Sequence, residues 1–257
     1  MSHKMKPFVI AVCHQKGGVA KTTTVSTLGA SLAEEGYSVL LIDLDSSGNL
    51  TSGLGLNSQE MKKSAVDLLL GSDTLKTAKQ SVNVPNLEII PVNEDMLTAP
   101  LILSTRSRYE DTLRNKINTG DTSYDYILID CPPSLNAVTI TALSAANLAI
   151  IPTQCEYFSL QALSNVFKTI TAVRANHNPN LHYRLLVTMF DRRGNFHTNI
   201  LEYFKIHHTD ALFKTEIGFD SKIKLCQTEG IPLTKLAPNT RAARQYRSLA
   251  NEIITYV

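Results

Sequence analysis

Ten consecutive residues, His14-Gln15-Lys16-Gly17-Gly18-Val19-Ala20-Lys21-Thr22-Thr23, place two lysines, two adjacent glycines and two hydroxyls between an apolar run and a stretch of helical spacing. Glycines let backbone N–H groups turn inward around an anion, and the helix start adds partial positive charge, so the natural occupant is a phosphate. In that arrangement Lys21 reaches the β- and γ-phosphates of ATP and the Thr22 hydroxyl ligates magnesium. The literal pattern G-x-x-x-x-G-K-[ST] is not met, because Gln15 and Ala20 stand at its glycine positions. A second lysine, Lys16, followed by two glycines has little use in an ordinary strand-to-helix turn. If position 20 requires a positive φ, the Ala20 Cβ costs about 1 kcal/mol, and otherwise little.

Two acidic sites accompany the loop. Val39-Leu40-Leu41-Ile42-Asp43-Leu44-Asp45 ends an apolar run in carboxylates at alternate positions, and Tyr126-Ile127-Leu128-Ile129-Asp130 ends another in one. A single acid after a strand often caps a helix or forms a turn. Three of them beside a phosphate loop make that reading improbable, and strand ends at the carboxyl edge of such a sheet are where ligands bind.

The elements that must position these groups follow from hydrophobic spacing. Residues 8–13, 38–42, 87–91, 126–129, 148–151 and 185–189 read as strands apolar on both faces, as buried parallel strands do. Residues 21–35, 60–70, 108–117, 136–145, 160–177 and 198–208 read as helices. The alternation predicts an α/β fold, a doubly wound and mostly parallel sheet with helices on both faces, whose ligands bind beyond the carboxyl ends of the strands. One domain over 1–257 is expected. The signal weakens after about residue 209, although 240–256 reads as a closing amphipathic helix.

With 257 residues and 43% hydrophobic content, the chain has ample material for a core, and its apolar runs are far shorter than the roughly 20 residues that cross a bilayer. No secretory signal is expected, because the first apolar run breaks at His14-Gln15-Lys16. Cys13, Cys131, Cys155 and Cys226 form no CxxC pair, so they are expected to be reduced and mostly buried, in a cytoplasmic protein. Net charge is +2, but residues 214–247 hold seven basic and three acidic residues, net +4. Lys222, Lys224, Arg241, Arg244 and Arg247 are candidates for a patch facing a polyanion such as DNA; the alternatives are a solvated helical face, helix capping, or a lining for the nucleotide pocket.

Taken together, Lys16-Gly-Gly-Val-Ala-Lys-Thr-Thr, Leu41-Ile-Asp-Leu-Asp, Ile129-Asp-Cys-Pro-Pro-Ser and Ile151-Pro-Thr-Gln-Cys-Glu-Tyr resemble the motifs of the ParA-type partition ATPases, within the ParA and MinD group of P-loop NTPases with a deviant Walker A sequence. Thr188-Met-Phe-Asp-Arg-Arg and Ala237-Pro-Asn-Thr-Arg-Ala-Ala-Arg-Gln-Tyr resemble late motifs of the partition branch. The family usually has glycine at position 20 and Pro-Gln where this chain has Ser46-Ser47. The resemblance implies that Lys16 contacts phosphates across a sandwich dimer, that Asp45 positions the attacking water and that Asp43 orders the site. It also implies that Gly17, Gly18, Val19, Ala20, Lys21, Thr22 and Thr23 bind the phosphates, that Thr22 and Asp130 hold magnesium, and that Met189, Asp191, Pro238 and Asn239 border the adenine. The implied partners are a second copy in the presence of ATP, nonspecific DNA, and a ParB-like or cargo-adaptor protein that stimulates hydrolysis, at the nucleoid and without a membrane. Three alternatives are carried: a positioning ATPase for a protein cargo, a MinD-like membrane binder, and a cluster carrier like the nitrogenase iron protein. The second is disfavoured by the absence of lysine or arginine after Arg247, the third by the unpaired cysteines.

Overall fold

The computed structural model describes residues 6–119, 123–191 and 195–257, and of residues 157–161, 195 and 196 the backbone alone. Its strands are β1 (Phe8–Val12), β2 (Val39–Asp43), β3 (Gln80–Ser81), β4 (Leu87–Ile90), β5 (Tyr126–Asp130), β6 (Leu148–Thr153) and β7 (His182–Val187). They form one sheet in the order β3-β4-β2-β5-β1-β6-β7, parallel throughout except for the short antiparallel pairing of β3 with β4. The helices are α1 (Lys21–Glu34), α2 (Asn49–Ser52), α3 (Ala65–Leu70), α4 (Leu75–Ala78), α5 (Ala99–Ser104), α6 (Thr112–Thr119), α7 (Ala137–Ala145), α8 (Tyr157–Asn176), α9 (Asn195–His207), α10 (Lys222–Glu229), α11 (Leu233–Leu236) and α12 (Arg241–Tyr256). The expected doubly wound α/β sheet is present.

Successive strand residues point to opposite faces, and here both faces are covered. Val9, Ala11, Leu40, Ile42, Ile127 and Ile129 belong to one core together with Val138 and Leu143 of α7 and Leu163 and Val166 of α8. Ile10, Val12, Val39, Leu41 and Leu128 belong to the other, with Val25, Leu28 and Leu32 of α1 and Tyr246, Leu249 and Ile253 of α12. Gly29 sets how closely α1 approaches the sheet: a Cβ there would lie 2.6 Å from a Leu41 methyl. Across the α1–α12 seam the Tyr246 hydroxyl meets Thr24 Oγ1 at 3.2 Å, and burial raises that phenol's pKa.

Several boundaries depart from expectation, three of them for identifiable local reasons. The helix expected over 60–70 begins at Ala65, because the Ser64 hydroxyl accepts from Val66 N while the Asp67 carboxylate accepts from Ser64 N, a capping box that fixes the first turn. The segment 108–117 opens with a tight helical turn, Tyr109–Asp111, after a left-handed Arg108, and only then continues as α6. The last strand ends at Val187, since Met189 takes φ 53° and leaves the sheet. Arg192 and Arg193, at the end of one quoted motif, lie outside the described residues.

Candidate functional site

The loop from Cys13 to Ala20 connects the interior strand β1 to α1, at the point where strand order diverges toward β5 on one side and β6 on the other. Gly18 has φ +73°, and a Cβ built on Gly17 or Gly18 would meet nothing within 4 Å, so the loop borders open space large enough for a ligand to approach the backbone. Its carbonyls are occupied by neighbouring strand ends. Gln154 Nε2 donates to Gly18 O at 3.3 Å, and Thr188 Oγ1 donates to Val19 O at 3.1 Å. Ala20 sits at φ 69°, ψ 31°, so position 20 does require the left-handed region, and alanine tolerates it at a cost of about 1 kcal/mol. His14 is buried and its Nδ1 accepts the Lys16 amide at 2.9 Å, which requires a neutral ring. Burial lowers the imidazole pKa to about 4, with the charges of Lys21 and Lys16 acting in the same direction.

Sheet register brings the acids to the loop. Val12 of β1 pairs with Asp130 of β5, and Asp130 with Asp43 of β2, so both carboxylates stand level with the loop's first residue. The Thr22 hydroxyl donates to Asp130 Oδ2 at 2.7 Å, while Asp130 Oδ1 is buried without a hydrogen-bond partner. Burial raises the Asp130 pKa well above the usual carboxylate range, with the charge of Asp43 adding to it; the Thr22 bond and Lys21 oppose the shift. A carboxylate buried in this way, with one idle oxygen beside a threonine hydroxyl, suits a hydrated hard cation. Magnesium keeps several waters and takes few protein oxygens directly, so Thr22 and Asp130 would hold it with the help of nucleotide phosphates. No group of three or more His, Cys, Asp or Glu among the described residues could cage a metal alone.

Asp43 orders the loop that follows it. Its Oδ1 accepts from Asp45 N at 3.1 Å, and its Oδ2 accepts from both Thr51 N (2.9 Å) and Thr51 Oγ1 (2.7 Å). Burial raises its pKa to about 6 against the opposing effect of those bonds. Asp45 is itself nearly buried, and its Oδ1 accepts from Ser47 N at 3.0 Å.

Lys16 reaches the segment after β6: its ammonium donates to Glu156 at 2.5 Å and to Gln154 Oε1 at 3.1 Å. With the two side chains 34% and 47% exposed, this pair contributes about 1 kcal/mol or less and exchanges readily for a stronger anion. Glu156, Gln154, Thr51, Thr188 and His14 are contributors that motif reading left without roles. Gln154 and Glu156 stood in a quoted motif and His14 in the loop, whereas nothing in the sequence marks Thr51.

The residues expected at the adenine lie in two separate segments, 189–191 and 238–239. Met189 accepts from Gln154 Nε2 through sulfur at 2.9 Å, and the neighbouring Phe190 pairs with Gly218. Gly218 N donates to Gln245 of α12, and Pro238 and Asn239 are exposed just before the N-terminus of that helix. Asp191 N is 3.4 Å from His197 Nδ1. Among the basic candidates, Lys222 and Lys224 are exposed on α10. The arginines mostly serve α12: Arg241 donates to Phe219 O, Arg244 to Asn239 O at 2.5 Å, and Arg247 to Pro238 O, Thr234 O and the Glu34 carboxylate of α1. Arg241 and Arg244 remain exposed, whereas Arg247 is half-buried and neutralised. All four cysteines are buried free thiols.

A family model described as an AAA domain matches residues 7–183. The chain is 37% identical to the sporulation initiation inhibitor protein Soj of Bacillus subtilis (strain 168), over 95% of this chain and 97% of that protein. It is 34% identical to the chromosome partitioning protein ParA of Caulobacter vibrioides, over 96% and 94%. The crystal structure of cobyrinic acid a,c-diamide synthase from Mycobacterium smegmatis with a bound ATP analog and magnesium superposes with a TM-score of 0.85 at 30% identity, covering 97% of this chain and 95% of that one.

Proposed function

The chain belongs to the ParA-type partition ATPases, the Soj-like branch of the deviant-Walker-A P-loop family, and on that premise we propose that it is a DNA-partition ATPase switched by nucleotide. The observation that carries this reading is the level grouping of Lys21, Thr22, Asp43 and Asp130 beside the open loop, with Asp45 two residues beyond Asp43.

In this reading ATP lies along the loop with its phosphates on the amides of residues 17–23 and on Lys21, and its adenine between residues 189–191 and 238–239. Thr22 and Asp130 would hold magnesium, which when bound would supply charge to offset that developing on the phosphates. Asp45 orients the attacking water. Lys16 leaves Glu156 and reaches the phosphates of a second copy, which makes the γ-phosphate part of the interface, so ATP favours the dimer and ADP does not. Dimerisation doubles the cationic surface from α10 and the start of α12, giving DNA binding that ignores sequence and weakens steeply with salt. One domain, residues 1–257, does this work at the nucleoid in the cytoplasm, and an adaptor on the cargo, ParB-like or otherwise, stimulates release.

Two alternatives lose ground on specific packing. The apolar side of α12 is spent against α1 and the sheet, with Ala243, Tyr246, Leu249 and Ile253 buried, and so is not offered to a lipid surface. Buried thiols cannot bridge a cluster at a dimer axis. A protein assembly as cargo is compatible with the same site, because the adaptor rather than this chain reads the cargo.

The test uses Asp45→Ala. Light scattering should show an ATP-dependent dimer that persists, with turnover lost, and gel shifts on unrelated duplexes should require ATP. An Asp45→Ala protein that stays monomeric, or hydrolyses like the parent, overturns the assignment.

A further inference from the structure

Resting on the reading above, we propose that Thr51 is a positioning residue for hydrolysis: its hydroxyl clamps the Asp45 loop shut by joining the Asp43 carboxylate to the backbone of residue 92. Thr51 is fully buried in the four-residue helix α2 and lies eight positions beyond Asp43. Its hydroxyl donates to Asp43 Oδ2 at 2.7 Å and accepts from Val92 N at 3.0 Å, which uses the single proton of a hydroxyl and one of its lone pairs. Its own amide donates to the same carboxylate oxygen at 2.9 Å.

Asp43 therefore fastens both ends of one loop, Asp45 N on one oxygen and Thr51 on the other. The water-orienting Asp45 is held in the span between these two attachments, with Gly48 N donating back to its carbonyl at 3.0 Å to close the turn. The Val92 link ties this arrangement to the carboxyl end of β4, so the loop is braced on two adjacent strands, β2 and β4. Thr51 makes no hydrogen bond to the phosphate loop or to the Thr22–Asp130 pair, so its contribution is to the orientation of Asp45 rather than to nucleotide affinity. Valine has the same shape but neither bond; it also strands a buried Val92 amide. Serine keeps both bonds.

Thr51→Val and Thr51→Ser are compared with the parent for ATPase kinetics and for affinity toward a fluorescent, non-hydrolysed ATP analogue. Losing a buried bond to a carboxylate should lower kcat by about tenfold or more in Thr51→Val, while analogue affinity and KM change by less than about threefold. Thr51→Ser should recover kcat to within about twofold of the parent. Should the valine variant fail to fold, hydrogen exchange on the parent decides: the Asp45 and Thr51 amides should be strongly protected. Unchanged kcat in Thr51→Val, a KM that rises in step with the fall in kcat, or parent amides that exchange like those of an open loop overturns the clamp. A parent that neither binds nor hydrolyses ATP sinks the functional reading instead, so the two failures are distinct.

Discussion

The carboxyl edge around β1, β2 and β5 and the C-terminal residues 214–257 both concentrate charge, yet they hold it by opposite means. At the edge, strand register sets Asp43 and Asp130 level with the phosphate loop, Lys21 is buried, and each carboxylate is met by a hydroxyl or an amide. In the C-terminal part, the arginines of α12 reach backbone carbonyls of the preceding loops and of α11. Desolvation magnifies each charge in the first region, whereas solvent screens the second. The number of charges therefore says little about their role, and the surroundings of each say much more.

The largest effect should separate the regions outright. Lys21→Ala should weaken binding of a fluorescent ATP analogue by roughly 100-fold, as expected for a lost charge-assisted bond in a desolvated site, and Lys224→Ala should leave it unchanged. Equal affinity in Lys21→Ala and the parent would place the nucleotide elsewhere.

Acid titration comes next. Between pH 6.5 and about 4 the unfolded chain protonates at His14 and the folded chain does not, so the His14 contribution to stability is lost as pH falls through that window, while Asp43 and Asp130, raised by burial, take up protons first in the folded chain and act in the opposite direction. The loss attributable to His14 should approach about 3 kcal/mol near the lower end. Residues 214–257 contain no histidine to share this slope. Urea midpoints at neutral and acid pH should show a shallower loss in His14→Asn, whose amide oxygen can still accept from Lys16; an identical slope in that variant refutes the assignment.

Within the second region the arginines should divide. Joint reversal of Arg241 and Arg244 to glutamate should flatten the salt dependence of DNA binding by roughly 1.8 log units per log unit of salt, two contacts' worth, with stability little changed. Arg247→Glu sets two carboxylates against each other at the α1–α12 seam and should cost about 1 kcal/mol of stability or more. A salt slope that stays put in the double reversal moves the DNA surface to another face.

The smallest expected change is a gain. Ala20→Gly should raise stability by about 0.5–1 kcal/mol, since glycine occupies the left-handed region freely, and should leave KM for ATP nearly constant. A lowered melting temperature would mean that the alanine methyl contributes packing that outweighs its strain.

The same contrast governs how much the amino-acid sequence reveals. The strands β1, β2, β4 and β5 fall within one residue of their expected ends, because runs such as Val39-Leu-Leu-Ile can be satisfied only between two buried faces. Asp43 and Asp130 were legible for the same reason, as polar residues ending such runs. Helix α10 was not, for among Ile223, Leu225 and Cys226 only Cys226 is buried and no apolar stripe repeats over its eight residues. The short α2, α4, α5 and α11 likewise lack a second turn in which periodicity could show. Thr51 escaped notice because its partner is chosen by a loop folding back on Asp43. Lys16 stood out in the loop as a candidate phosphate ligand, but its attachment to Glu156 depends on β6 lying next to β1, a fact of topology.

The two margins of the sheet bear on how copies of this chain can associate. On one side β4 is sheathed by the two-residue antiparallel β3. On the other, β7 is shielded by residues 212–218, where Phe213 N donates to Leu185 O and Ile217 N to Val187 O. Unguarded margins of a parallel sheet invite open-ended, amyloid-like growth by strand addition. With both rims sheathed, stacking into ribbons is discouraged, and association is steered toward closed, countable assemblies formed through loops and helices.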